Sequence, residues 1–303
     1  MEKTKVKIKV PATSANCGPG FDTLGIACSL YNEFTYELIP EGYELIVEGE
    51  GKDALEASKD NLAFASFYKL WDKVQGKNSG LKVTMKNNIP LSRGLGSSTA
   101  VIVAGIMAAN FLSDSKLSKD ELLALATEIE GHPDNVAPAI FGGFTISFME
   151  NNSAHTFKFL PKKEFTMVAV IPNMPLSTAK ARAAIPKVVP HVDAVFNSSR
   201  SALLVASLLT GDFSLLHFAM EDKLHQPYRL PLIPGAKEAL EAAKSAGAFG
   251  AIISGAGSTL MAYVEKNGPS AEVGKAMITK LKENGLEGKY VLLDIDKTGA
   301  QII

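Results

Sequence analysis

The residues best suited to chemistry lie in IPLSRGLGSSTA, Ile89–Ala100. Gly94 and Gly96 let the backbone curl and turn its amides inward, and an apolar helix follows from Ser97. Inward amides plus the positive end of a helix make an anion site suited to phosphates. The Ser97 and Ser98 hydroxyls are placed to bond phosphate oxygens or ligate Mg²⁺. No Gly-Lys-Ser/Thr is present, so the loop is not of Walker type. Thr99 stands where a dinucleotide-binding GxGxxG needs its third glycine. Taken alone, such a loop serves equally well as a plain helix cap. Cys17 and Cys28 lack the spacing of a zinc site or disulfide framework, and Cys17 has no His-Asp partners for a nucleophile. Cys17 reads as a small packed thiol.

These residues need a scaffold, and the 303-residue chain has room for one large or two medium domains. It is 46% hydrophobic and 21% charged, ordinary for a globular protein. Thirty-one Lys and Arg against 32 Asp and Glu give a net charge of −1, which argues against a nucleic-acid binder. The start of the chain has no apolar core of signal-peptide length. The longest apolar stretch, 99–112, is shorter than the roughly 20 residues a membrane span needs. No membrane association and a cytoplasmic location are the expectation.

Residues 5–10 alternate with period two and predict a strand ended by Pro11, with further strands at 32–39, 44–48 and 81–86. Helices are expected over 61–74 and 97–112. Another starts at the capping box of Ser118 and Glu121, with Leu117 and Leu122 as a staple, and stops at Gly131 and Pro133. A strand over 144–149 then leads to an exposed turn at 150–155. From Phe165 the pattern restarts: strand, helices within 193–224, a helix at 235–246, two short strands, a helix at 270–284 and a last strand. Strand, helix, hairpin, helix, strand suits a ferredoxin-like α+β unit.

Three segments together resemble the GHMP kinases, which phosphorylate galactose, homoserine, mevalonate and phosphomevalonate. Pro90–Ala100 is similar to their central P-x-x-x-G-L-G-S-S-A-A, with Thr99 in one alanine position. KVPATSANCGPGFDTLG (Lys9–Gly25) resembles their first motif, and ISGAGSTL (Ile253–Leu260) their third. The form of the first motif, and HPDNVAPAIFGG at 132–143, are closest to the homoserine kinase branch. The resemblance implies an α+β, two-domain GHMP kinase fold. Residues 1–160 would form the ATP-binding domain, like domain 2 of ribosomal protein S5, and residues 161–303 a ferredoxin-like domain, with the active site between them. A homodimer is a family-level expectation.

The resemblance also implies roles. Pro90, Leu91, Ser92, Arg93, Gly94, Leu95, Gly96, Ser97, Ser98, Thr99 and Ala100 would wrap the phosphates of ATP. Ser98 and a helix glutamate would hold Mg²⁺; Glu128, four residues before His132, is preferred, with Glu130 the alternative. Asn61, in Asp60-Asn61-Leu62, would meet the adenine or simply cap the helix, and Lys86 would approach the nucleotide. Homoserine is a zwitterion with a primary hydroxyl. Arg182 and Arg229 would take its carboxylate, since arginine forks match carboxylates. Asn16, Asp22, His132 and Thr178 would complete the pocket. Some relatives carry an aspartate as base; here Asn135 takes that position and cannot deprotonate anything, while Asp134 is expected to point elsewhere. Catalysis would then rest on positioning and charge neutralisation, with Asp22 or the γ-phosphate taking the proton late. Another GHMP substrate (mevalonate or a sugar) and a non-catalytic nucleotide-binding regulator are the alternatives. The intact glycines at 94 and 96, both serines and Glu128 disfavour the regulator, and the arginines with Asp22 disfavour a neutral sugar.

Overall fold

The computed structural model of the chain describes residues 3–56, 61–75 and 79–303. Lys5–Ala15 (β1), Leu24–Ile39 (β2) and Tyr43–Gly49 (β3) come first, then Lys52–Glu56 (α1), Leu62–Val74 (α2) and Gly80–Asn87 (β4). Ser97–Leu112 (α3), Lys119–Glu130 (α4) and Pro133–Phe141 (α5) follow, with the hairpin Phe144–Glu150 (β5) and Ser153–Phe159 (β6). The second half runs Phe165–Pro172 (β7), Thr178–Ala183 (α6), His191–Thr210 (α7), Leu216–Ala219 (α8), Gln226–Arg229 (α9) and Ala236–Ser245 (α10). Gly250–Ile253 (β8), Leu260–Glu265 (β9), Ser270–Glu283 (α11), Gly288–Leu293 (β10) and Gln301–Ile302 (β11) close it.

One sheet has the order β11-β1-β2-β4-β3, with β5 and β6 added beside the start of β2. Pro11 does not end β1, contrary to the sequence expectation. The strand shifts register between Pro11 and Ala12 and continues to Ala15, a bulge where a residue without an N–H is tolerated. Beyond it every residue of β1 is buried, so the period-two signal vanishes where the strand enters the centre of the molecule. The stretch 150–155 is likewise mostly strand: the turn is only Asn151 and Asn152, both with positive φ.

The second sheet, β10-β7-β9-β8, is antiparallel throughout and is the expected ferredoxin-like unit. Every residue of β7 is buried, because both of its faces are covered. Val168 and Val170 pack with Ala239 and Val273 of α10 and α11. Met167, Ala169 and Ile171 join the core that also holds Ile8, Phe34 and Cys28 of the first sheet. The two halves therefore share a core, and the last strand, β11, returns to pair with β1 of the first sheet.

Helix α3 is apolar on nearly all sides because it is buried on nearly all sides. Helix α4 forms with the full Ser118–Glu121 capping box and ends at left-handed Gly131. The segment after it, read only as a stop, is helix α5. Pro133 occupies its first turn, where no N–H is needed. Pro138 frees the carbonyl of Asp134, which Gly25 of β2 approaches so closely that a side chain there would collide with it.

Candidate active site

A cleft of about 330 Å³ opens between the two sheets. Its floor is the loop before α3, held by segments far away in sequence. Thr13 N–H bonds the Leu95 carbonyl at 3.1 Å, and Thr259 N–H bonds that of Arg93 at 3.0 Å. Ser254 Oγ donates to the Gly94 carbonyl at 2.6 Å, and Arg93 Nε to the Pro172 carbonyl at 3.0 Å. Gly94 and Gly96 have φ of 76° and 70°. A methyl group on Gly94 would overlap the Ser254 carbonyl, and one on Gly96 the Thr13 hydroxyl. Glycine is required here by the approach of the first and third motifs as much as by backbone conformation. Gly96 is the N-cap of α3 and contributes no side-chain cap, so the first amides of a 16-residue helix face the cleft, as an anion needs.

Beside this helix end lies Glu130. Its Oε1 accepts from Thr99 Oγ1 at 2.9 Å and from Ser98 Oγ at 3.5 Å, and burial raises its pKa above the usual 4.5. A carboxylate flanked by two hydroxyls is an all-oxygen, hard donor set of the kind that suits Mg²⁺. Glu128, expected in this place, is instead ion-paired with Lys69 at 2.9 Å, with its side chain 56% exposed. Two residues apart on a helix means different faces, so only one of the two glutamates can look into the cleft. Among the described residues no cluster of three or more His, Cys, Asp or Glu could hold a metal.

The opposite end of the cleft is built from side chains. The Arg182 guanidinium forks onto Asp22, Nη1 to Oδ2 at 2.9 Å and Nη2 to Oδ1 at 2.8 Å, and this partner raises the arginine's pKa. Asp22 sits on a tight turn at φ 54°, its N–H held by Asn16 Oδ1 at 3.0 Å. Asn16 Nδ2 donates to the Gly255 carbonyl at 2.9 Å, and Arg229 Nη1 donates to the same carbonyl at 3.0 Å. Arg229 is 2% exposed, and burial lowers its pKa to about 10, which still leaves it charged at neutral pH. His132 Nδ1 lies 2.6 Å from Asp134 Oδ1, and that carboxylate raises the imidazole's pKa. Asn135 Oδ1 accepts from Thr13 Oγ1 at 2.7 Å.

Asn16, Asp22, Asn61, Leu91, Ser92, Arg93, Gly94, Gly96, Ser97, Ser98, His132, Asn135, Thr178, Arg182 and Arg229 all line this one cleft. Pro90, Leu95 and Ala100 are buried behind it, and Thr99 reaches Glu130. Lys86 does not face the cleft: strand alternation turns Met85 inward and Lys86 out beside Glu33. Asp134, expected to point elsewhere, lines the cleft at 2% exposure. Asn61 caps α2, accepting from Ala63 N–H at 2.9 Å, and lines the cleft as well. Its neighbour Asp60 lies outside the described residues. Cys17 is fully buried and its pKa is pushed up by burial, so it is no nucleophile.

Two contributors escaped sequence reasoning. The Phe21 ring lies 5.4 Å from the Arg182 guanidinium and 5.3 Å from that of Arg229, and stacks on His225 at 5.3 Å. His225 Nε2 is 2.7 Å from the Gly18 carbonyl, so it carries the proton, and Nδ1 accepts from Arg229 Nη1 at 3.3 Å. Burial lowers its pKa, consistent with that neutral form. An aromatic residue beside Asp22 and a histidine four before Arg229 were the only signals available.

A glycine turn opening a helix N-terminus, a carboxylate beside two hydroxyls and a two-arginine pocket share one cleft, an arrangement suited to a small-molecule kinase. The chain belongs to the GHMP kinases: the family's N-terminal domain matches residues 61–143 and its C-terminal domain residues 204–283. Its place within them is among the homoserine kinases. It is 40% identical to the homoserine kinase of Desulfitobacterium hafniense, over 98% of this chain and 100% of that one. It is 41% identical to that of Carboxydothermus hydrogenoformans, over 97% and 96%. The solved homoserine kinase of Cytophaga hutchinsonii superposes with a TM-score of 0.87 at 29% identity, covering 100% of this chain and 98% of that one. An L. major mevalonate kinase shares the fold, with a TM-score of 0.71 at 17% identity.

Proposed function

We propose that this protein transfers the γ-phosphoryl group of ATP to the side-chain hydroxyl of L-homoserine, giving O-phospho-L-homoserine and ADP, a step toward threonine. The observation that carries this is the cleft itself, where the N-terminus of α3 and a pocket of opposite charges face each other. ATP phosphates rest on the 90–100 loop and the N-terminus of α3. Glu130, with Ser98 and Thr99, is the set that would hold Mg²⁺, which neutralises charge on the phosphate oxygens when bound. The nucleoside lies toward Asn61, Leu62 and Met85. Arg182 and Arg229 take the substrate carboxylate, Asp22 its ammonium, and His132 and Thr178 the walls beside its hydroxyl.

The hydroxyl oxygen forms the new bond to phosphorus as the bond to the β-phosphate oxygen breaks. Asn135 orients and cannot take the proton, and Asp134 is occupied by His132, so the proton passes late to the transferred phosphoryl oxygen. Asp134→Asn should therefore keep turnover within about tenfold; a loss of more than about a thousandfold in a folded variant would make Asp134 a base.

No described helix is long and apolar enough to cross a membrane. A cytoplasmic setting, independence of nucleic acid, homodimeric assembly and a division near residues 160–161 belong to the same reading; light scattering tests the assembly. The reaction is tested by ADP release with Mg²⁺–ATP over L-homoserine, mevalonate, galactose, L-serine and L-threonine. Selective turnover of L-homoserine supports the assignment, and turnover of another member alone would replace it.

A further inference from the structure

The two charges assigned to the substrate's two ends are bonded to each other. Asp22 comes from the first motif, on the first sheet's side of the cleft; Arg182 comes from α6, on the other side. Their bidentate contact uses both carboxylate oxygens and both terminal nitrogens, the geometry these groups would otherwise offer a ligand. Both backbones are tied down. Asp22 is pinned through its N–H by Asn16, and Arg182 stands in a short helix capped by Ser177. Phe21 braces the Arg182 guanidinium from below. Side-chain rotation is enough to break the contact, and the Arg182 and Asp22 side chains are 44% and 34% exposed at the mouth of the cleft.

We propose that the Asp22–Arg182 ion pair is a specificity latch that only a zwitterion opens without loss. An incoming amino acid exchanges one ion pair for two: its ammonium takes Asp22 and its carboxylate takes Arg182. A ligand with a carboxylate alone must pull Arg182 away and leaves Asp22 without its partner. A ligand with an ammonium alone strands Arg182. Either case costs the pair and returns only one contact. Arg229 stays with the Gly255 carbonyl and His225 throughout and gives the carboxylate a second, fixed cation. The latch thus makes the unliganded pocket discriminate by charge count before hydroxyl geometry matters.

This inference rests on the pocket assigned under the proposed function, and one set of kinetics separates the two. L-Homoserine, 4-hydroxybutyrate (no ammonium) and 3-aminopropan-1-ol (no carboxylate) are compared in the native enzyme, Asp22→Asn and Arg182→Gln. Both variants should lose at least about a hundredfold in kcat/KM for L-homoserine. The latch further requires gains. Asp22→Asn should turn over 4-hydroxybutyrate about tenfold better than the native enzyme, because Arg182 is released. Arg182→Gln should do the same for 3-aminopropan-1-ol. If L-homoserine kinetics fall but either analogue fails to gain, the latch is wrong and the pocket stands. If neither variant affects L-homoserine, the pocket assignment itself fails. Melting curves with and without ATP identify a variant that has not folded, and Asp22→Ser or Arg182→Met then takes its place.

Discussion

The two ends of the cleft are made in different ways. The end proposed to hold phosphates is backbone: amides, a helix terminus and two glycines whose missing side chains admit Thr13 and Ser254. The end proposed for the substrate is built largely by side chains brought from 160 and more residues apart, Asp22 with Arg182 and Asn16 with the carbonyl of Gly255. A backbone site tolerates little change because nothing in it can be rotated aside. A side-chain site can be retuned residue by residue, which is how one fold can serve different alcohols.

The contrast can be broken first at the junction. Glu130→Gln should lower kcat about a thousandfold, whereas Glu128→Gln should stay within about twofold; equal effects would restore Glu128 to the metal site. At the phosphate end, Gly94→Ala should cost about a hundredfold in kcat/KM for ATP, through overlap and a left-handed φ. Its effect on the L-homoserine KM should be much smaller. At the substrate end Phe21→Leu should raise the L-homoserine KM about tenfold and leave the ATP KM and kcat nearly unchanged, with Phe21→Tyr recovering most of the loss. A fall in kcat instead would mean that the ring only supports the fold.

The smallest effect concerns His132. Its NMR titration should lie above 6.5 and drop in Asp134→Asn. A raised folded pKa stabilises the protein fully below the unfolded value, and the contribution fades as pH rises through the folded one. Asp134→Asn should therefore lower the melting temperature more at pH 6 than at pH 8.5.

The same contrast explains what could be read from the sequence. Helices α3 and α4 were legible to the residue because caps and glycines act locally, as Ser118, Glu121 and Gly131 do. The glycine turn before α3 was legible for that reason too. The far half of β1 was not, since burial on both faces erases alternation. Helix α5 hid behind Pro133 and Pro138, which mark helix starts and helix breaks alike. At the site, resemblance supplied Arg182 and Arg229 but not the ring between them. The Glu128 expectation failed because spacing along the chain does not say which way a helix is turned. That is set by the face the helix buries, Leu122, Leu123, Ala126 and Thr127.

The Gly255 carbonyl takes hydrogen bonds from Asn16 and Arg229, while its neighbour Ser254 holds the Gly94 carbonyl of the phosphate loop. One short turn is therefore bonded to residues at both ends of the cleft. Linkage makes that contact symmetric: whatever factor ATP applies to the affinity for homoserine, homoserine applies to the affinity for ATP. Equilibrium titration of each ligand with the other absent and then saturating, with a non-hydrolysable ATP analogue, measures that factor. The turn is the place where Ser254→Ala should weaken it.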